Sequence, residues 1–204
     1  MRRMSLPVRV GEVTIGGGAP VVIQSMTNTA TTDVQATLEQ INKLFTAGCE
    51  IVRVAVPDEK AARALGVLKK YAPLPIIADI HFDYRLALLA IREGADKIRI
   101  NPGNIGGREK LLQVAAGAGE KGIPLRIGVN SGSIDRDLRT KYGGPTAEAL
   151  VESALQTIDF LERHAFEKII VSLKATDVQL TIAAYQKIAE KTLYPFHVGI
   201  TEAG

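Results

Sequence analysis

Seven short runs rich in β-branched residues recur along the chain, at 20–26, 50–56, 75–80, 96–101, 124–130, 167–173 and 195–201, and stretches of helical period separate them. Several are nearly continuous in Val and Ile, as strands covered on both faces are. The helical stretches carry start and stop signals. Thr32-Asp33 opens one that Gly48 closes, Asp83 opens one that Gly94 closes, and Pro145-Thr146 and Asp177 open two more. Six helical crossovers of this kind make βαβ units and a parallel sheet. Ahead of the first run, Val8-Arg9-Val10 and Val13-Thr14-Ile15 flank Gly11-Glu12, and Gly16-Gly17-Gly18 follows. This reads as a small hairpin and a flexible joint, placed to plug the bottom of a barrel.

Seven strands fit either an open doubly wound sheet or a (β/α) barrel that lacks its eighth strand. A doubly wound sheet calls for a Gly-rich phosphate turn after its first strand. The first run leads instead into Gln24-Ser25-Met26-Thr27-Asn28-Thr29, with no such turn. Polar and charged residues gather at the carboxyl ends of nearly all the runs, where a barrel builds its site. The expected fold is therefore α/β: an incomplete TIM-type (β/α) barrel of seven parallel strands, open between the first and seventh, with an N-terminal β-hairpin. Residues 1–18 form the hairpin and joint, and residues 19–204 the truncated barrel.

Cations inside apolar runs give the strongest functional signal. Arg53 lies in Ile51-Val52-Arg53-Val54, Arg99 in Ile98-Arg99-Ile100-Asn101, Arg126 in Leu125-Arg126-Ile127-Gly128, and Lys174 ends Ile170-Val171-Ser172-Leu173-Lys174. Strand side chains alternate between faces. If Ile98 and Ile100 face the helices, Arg99 and Asn101 face the interior, and so do Arg126, Gly128 and Asn130, Asp79 and His81, and Ser172 and Lys174. Asp79 is the one obvious inward carboxylate. An unpaired interior charge is costly, so the surplus calls for a bound polyanion, and a diphosphate suits the grip of Arg and the point charge of Lys. The competing reading is a structural network of Arg and Asp.

Other features carry less. Asn101-Pro102-Gly103-Asn104-Ile105-Gly106-Gly107 is a Gly-rich turn before a helix whose N–H groups suit an anion. The pair Asp79 and His81 suits orienting a polar substrate or moving a proton, and Glu202 is the best-placed acid for proton transfer. His164 and His197 read as structural, the latter at the amino end of a strand and away from the site. Cys49, the single cysteine, reads as a packed core thiol. The net charge of +3 is spread without basic runs, which disfavours nucleic acid and membrane surfaces. With no apolar run of membrane-spanning length and no signal-like start, the expected address is cytoplasmic.

Five motifs together resemble the 4-hydroxy-3-methylbut-2-enyl diphosphate synthases: Gln24-Ser25-Met26-Thr27-Asn28-Thr29, Asp79-Ile80-His81-Phe82-Asp83-Tyr84-Arg85, Arg99 to Gly106, Arg126-Ile127-Gly128-Val129-Asn130, and Gly199-Ile200-Thr201-Glu202-Ala203-Gly204. The resemblance runs from about Arg9 to the last residue. It implies the reductive opening of methylerythritol cyclodiphosphate to hydroxymethylbutenyl diphosphate, an oxidoreductase step of the methylerythritol phosphate route to isoprenoids. It further implies that Arg53, Arg99, Arg126 and Lys174 bind the phosphates. Asp79, His81, Asn101, Asn130 and Thr201 then line the pocket, and Glu202 is the catalytic acid. Ferredoxin or flavodoxin supplies the electrons, the full-length form is a homodimer, and a [4Fe–4S] cluster resides in a C-terminal domain whose cysteine ligands this chain lacks. The expectation is that sequence beyond Gly204 carries the eighth strand and a Cys-x-x-Cys pair. The alternatives are a non-redox diphosphate-binding barrel module, or a pteroate-synthase-like barrel acting on a pterin diphosphate.

Overall fold

The structure, a computed structural model, describes residues 3–199. Two strands, β1 (Val8–Val10) and β2 (Val13–Ile15), pair antiparallel across a turn at which Gly11 takes a φ of 58°. This is the expected hairpin, and glycine meets its left-handed turn position without steric cost. Six strands follow in one parallel sheet whose spatial order is the chain order: β3 (Gln24–Met26), β4 (Ile51–Ala55), β5 (Ile76–Asp79), β6 (Lys97–Ile100), β7 (Leu125–Asn130) and β8 (Ile169–Lys174). Sequential parallel pairing through helical crossovers is the barrel order and excludes a doubly wound sheet.

The crossovers are α1 (Val34–Thr46), α2 (Glu59–Tyr71), α3 (Tyr84–Arg92), α4 (Arg108–Lys121), the pair α5 (Arg136–Tyr142) and α6 (Ala147–Glu162), and α7 (Val178–Ala189). The crossover between β7 and β8 thus holds two helices where one was expected. Helices α1, α3, α6 and α7 begin at Asp33, Asp83, Thr146 and Asp177, each accepting a hydrogen bond from a backbone N–H of the first turn. These caps were readable because a side-chain acceptor there satisfies an otherwise orphaned donor.

The seventh run departs from expectation. Among the described residues it pairs with β8 through one parallel bridge, Val171 to Phe196, with Val171 N–H donating to Pro195 (3.0 Å) and His197 N–H to Val171 (2.9 Å). Among the described residues no strand pairs with the run on its other side, which leaves little to hold it in ladder geometry. A cavity of about 490 Å³ opens between this run and β3, lined by Gln24, Ile51, Ile170 and His197 among others.

Two apolar layers sandwich the sheet. On its outer side, Val52, Val54, Ile98, Ile100, Ile127 and Val171 pack against the helices. On its inner side, at the amino ends of the strands, Ile51, Ile77 and Ile170 pack against Val8 and Val10 of the hairpin. The hairpin is therefore the barrel's apolar floor, and the strand alternation matches the inward parity of the sequence. Val10 is fully buried in that floor. Val10→Ala is expected to cost about 1.5–3 kcal/mol, the scale of a buried Val side chain, measured as a lower midpoint in urea unfolding.

Candidate functional site

Above the floor, the inner face turns from apolar to charged within one step along the strands. Asp79 ends β5 at 2% exposure, and three side chains converge on it. Arg99 Nη1 donates to Oδ1 at 3.0 Å, Arg53 Nε lies 3.5 Å from Oδ2, and His81 Nε2 lies 3.5 Å from the same oxygen. The register explains this meeting, since Asp79 is aligned with Ala55 on one side and Arg99 on the other, and Arg99 with Arg126. Arg53 also donates to the thioether of Met26, its register partner on β3.

Arg126 lies at 1% exposure, and its Nε and Nη1 find no hydrogen-bond acceptor among the described residues; the same holds for Nε of Arg99. Burial, then the charges of Arg53 and Arg99, bring the Arg126 guanidinium down to about 9. Burial and the same guanidinia bring Lys174 down to about 8. Lys174 is aligned with Asn130 at the carboxyl ends of β8 and β7. Gly128 makes room for the cluster: a Cβ there would stand 3.1 Å from Arg99 Nε. Among the described residues, four cations thus share one carboxylate inside a barrel mouth, with donors left over.

Asn101 sits in the same mouth, yet its amide is spent on the loops, donating to Ser133 Oγ (2.8 Å) and accepting from Gly103 N–H (3.1 Å). It holds the Gly-rich turn against the turn after β7. Thr201 and Glu202 lie outside the described residues. Cys49 is buried on the helix side of the sheet, its thiol directed at the carbonyls of Ile51 (3.1 Å) and Ile23 (3.7 Å).

Two interior residues escaped the sequence reading. Lys97 opens β6 two residues before Arg99, so the parity that places Arg99 inward places Lys97 inward too. It is fully buried. His197, read as structural and remote, instead lines the cavity beside β3, with Nε2 3.8 Å from where a Cβ on Gly199 would stand and Lys174 Nζ 3.3 Å from that same point. Burial and the charges of Arg126, Lys97, Lys174 and Arg53 hold its imidazole down to about 2, so it stays neutral at any ordinary pH. Its place two residues before Gly199 on the inward parity was the available signal.

Residues 5–204 match the family described as GcpE TIM-barrel domain. The chain belongs to that family. It is 60% identical over 203 residues to the 4-hydroxy-3-methylbut-2-en-1-yl diphosphate synthase (flavodoxin) of Anoxybacillus flavithermus, covering 100% of this chain and 56% of that protein. The proteins of the same name from Bacillus subtilis and Caldanaerobacter subterraneus are 59% and 54% identical, again over 100% of this chain, which spans 54% and 58% of their lengths. Solved structures share the fold alone. A 3-dehydroquinate dehydratase from Geobacillus kaustophilus superposes with a TM-score of 0.69 at 15% identity, over 96% of this chain and 79% of that one. A 7,8-dihydropteroate synthase from Vibrio fischeri gives 0.61 at 17% identity, over 92% and 73%. The relatives' shared name does not favour the pteroate-synthase-like alternative.

The GcpE barrel's interior sets a pH dependence. Lys174 carries its charge below about 8 and loses it above, whereas a bound anion favours the charged form. Anion affinity is therefore expected to fall as pH rises through about 8, by up to about tenfold per pH unit. Titrating binding from pH 7 to 9.5 measures it, and Lys174→Met should remove the part centred near 8 and leave the part that Arg126 contributes near 9.

Proposed function

We propose that this chain is the substrate-binding barrel of a 4-hydroxy-3-methylbut-2-enyl diphosphate synthase, which reduces methylerythritol cyclodiphosphate to hydroxymethylbutenyl diphosphate in isoprenoid biosynthesis. The observation that carries the reading is the imbalance at the mouth: among the described residues Arg53, Arg99, Arg126 and Lys174 face one carboxylate, Asp79, and Arg126 keeps two buried donors free of any described partner. An interior guanidinium without an acceptor is unfavourable, so the set is arranged for an anion that arrives later. A diphosphate offers oxygens to several planar donors at once. Family membership and relatives that carry the synthase name support the same choice.

In this reading Arg53, Arg99, Arg126 and Lys174 hold the phosphoryl oxygens, and Asp79 keeps Arg53 and Arg99 in place and aimed. His81, half exposed beside Asp79, reaches the substrate from the rim with Asn130, while Asn101 shapes the loops that form it. The family resemblance adds Thr201 as a substrate-binding residue and Glu202 as the acid that moves a proton, both outside the described residues. The reduction consumes two electrons, for which the relatives' printed name indicates flavodoxin. A [4Fe–4S] cluster requires several thiolates. This chain has Cys49 alone, turned away from the mouth, and among the described residues no group of three His, Cys, Asp or Glu could hold a metal ion. The residues present do not fit a cluster, so this barrel's contribution is binding, orientation and proton handling. No helix among the described residues is long and apolar enough to cross a membrane.

Calorimetry with the cyclodiphosphate tests the cradle. Arg126→Ala is expected to weaken binding by about 1.5–3 kcal/mol, the scale of a charged hydrogen bond, and unchanged affinity would remove the assignment. Residues 1–204 alone, given substrate and reduced flavodoxin, are expected to give no product, since their side chains carry no electrons. Turnover under those conditions would place the redox chemistry elsewhere than proposed.

A further inference from the structure

Beneath the four cations lies a fifth that the phosphate cradle does not use. Lys97 is 0% exposed, and its Nζ reaches one polar partner, Gln24 Oε1, at 3.4 Å. Asp79, the carboxylate of the interior, is engaged by Arg53, Arg99 and His81 and makes no ion pair with it. Each neighbouring strand presents Lys97 with either a neutral group or a positive charge. Gln24 comes from β3, Arg53 from β4, the register partner Ile77 from β5, Arg126 from β7 and the neutral His197 from the seventh run. Among the described residues an ammonium there would have no counterion, and at 0% exposure it would have little water; both conditions favour the neutral amine. Burial, then the charges of Arg126 and Arg53, indeed hold the amine well below its ordinary value.

Filling the cradle reverses that balance. In a cyclic diphosphate each phosphoryl group carries one ester link and shares one anhydride link, which leaves it one fixed negative charge, so the ligand brings two charges and no ionisation of its own near neutral pH. Against the four cations and one carboxylate that the described residues place there, those charges cancel most of the positive field that Lys97 feels. We propose that Lys97 is an occupancy-coupled proton acceptor, a neutral amine in the empty barrel and an ammonium once a diphosphate rests on the cations above it. This rests on the diphosphate reading and deepens it. The Nζ lone pair takes one proton from solvent and no other bond changes. The new ammonium donates to Gln24 as a charge-assisted hydrogen bond, stronger than the neutral one it replaces. A ligand with less charge cancels less of the field, so the device favours doubly charged ligands.

Calorimetric titration of the protein with methylerythritol cyclodiphosphate at pH 7, in buffers of different ionisation enthalpy, reads the proton directly. Lys174, at about 8, is then already about nine-tenths charged and contributes only about one-tenth of a proton. The expected result is uptake of more than about half a proton per ligand, falling to the small Lys174 share in Lys97→Met. In the unsubstituted protein, the 15Nζ resonance of Lys97 should move from the amine to the ammonium range on binding, which decides the matter even if Lys97→Met does not fold. Saturable binding whose heat is the same in every buffer overturns the proposal and leaves the diphosphate reading standing. Uptake that persists undiminished in Lys97→Met overturns it in favour of His197. Absence of any binding overturns the diphosphate reading and this proposal together.

Discussion

One buried carboxylate makes the interior of this barrel possible. Asp79 is the counterion for Arg99 and Arg53 and also touches His81, and each of the three comes from a different stretch of chain. Two guanidinia in a low-dielectric enclosure repel each other and lose hydration, and a shared anion offsets both costs. Its placement is a matter of sheet order. β5 lies between β4 and β6, so a carboxylate ending β5 is flanked by the strands that carry Arg53 and Arg99. Moving it one residue along the strand would turn it to the helix side, into a layer of Val and Ile, and leave the guanidinia without an anion.

The apolar floor gives that charge cluster its strength. Hairpin residues Val8 and Val10 pack against Ile51, Ile77 and Ile170 at the amino ends of the strands, so the cations have apolar side chains beneath them. Electrostatic interactions in such an enclosure are larger than at a surface, for repulsion and attraction alike. The interior is thereby graded along the strands: hydrocarbon at the hairpin, then the buried Lys97 and the neutral His197, then the guanidinia and Asp79, then the half-exposed Lys174 and His81. Gly128 belongs to the same grading, because without a Cβ it lets Arg99 lie flat against β7.

Most of this grading is legible in the sequence, because strand alternation needs only one reliable residue per run. Ile98 and Ile100 fix the outer face of β6, and Arg99 follows; the same step places Arg53, Asp79, Arg126 and Lys174. Lys97 obeys the same rule but stands at the amino end of its strand, where a long side chain commonly reaches back to water. What buries it is the hairpin floor, formed by residues nearly ninety positions earlier, and no local pattern reports that closure. His197 was misplaced for a related reason. The amino end of a barrel strand is ordinarily remote from the site, yet here Arg126 and Lys97 extend the charged zone down to the level of the imidazole. The second helix between β7 and β8 was missed because α5 is seven residues long, too short to show an apolar period.

The seventh run shows how an interior residue can be fixed with almost no sheet pairing. Among the described residues its contact with β8 amounts to one bridge, too little to hold a strand by backbone hydrogen bonds alone. The remaining restraint comes from outside the sheet. Arg3 donates to the carbonyls of Thr192 and Tyr194 and lays its guanidinium over the ring of Phe196, 4.1 Å from the centroid. Leu6 N–H donates to Leu193 at 2.7 Å, so the segment ahead of the hairpin straps the run down. From the helix side, Tyr185 of α7 donates its hydroxyl proton to the His197 carbonyl and accepts from Leu173 N–H, linking the run to β8 by a side chain instead of a ladder. The chain's beginning thus holds the place of the histidine nearest its end, and the imidazole faces the cations because its backbone is pinned on both sides.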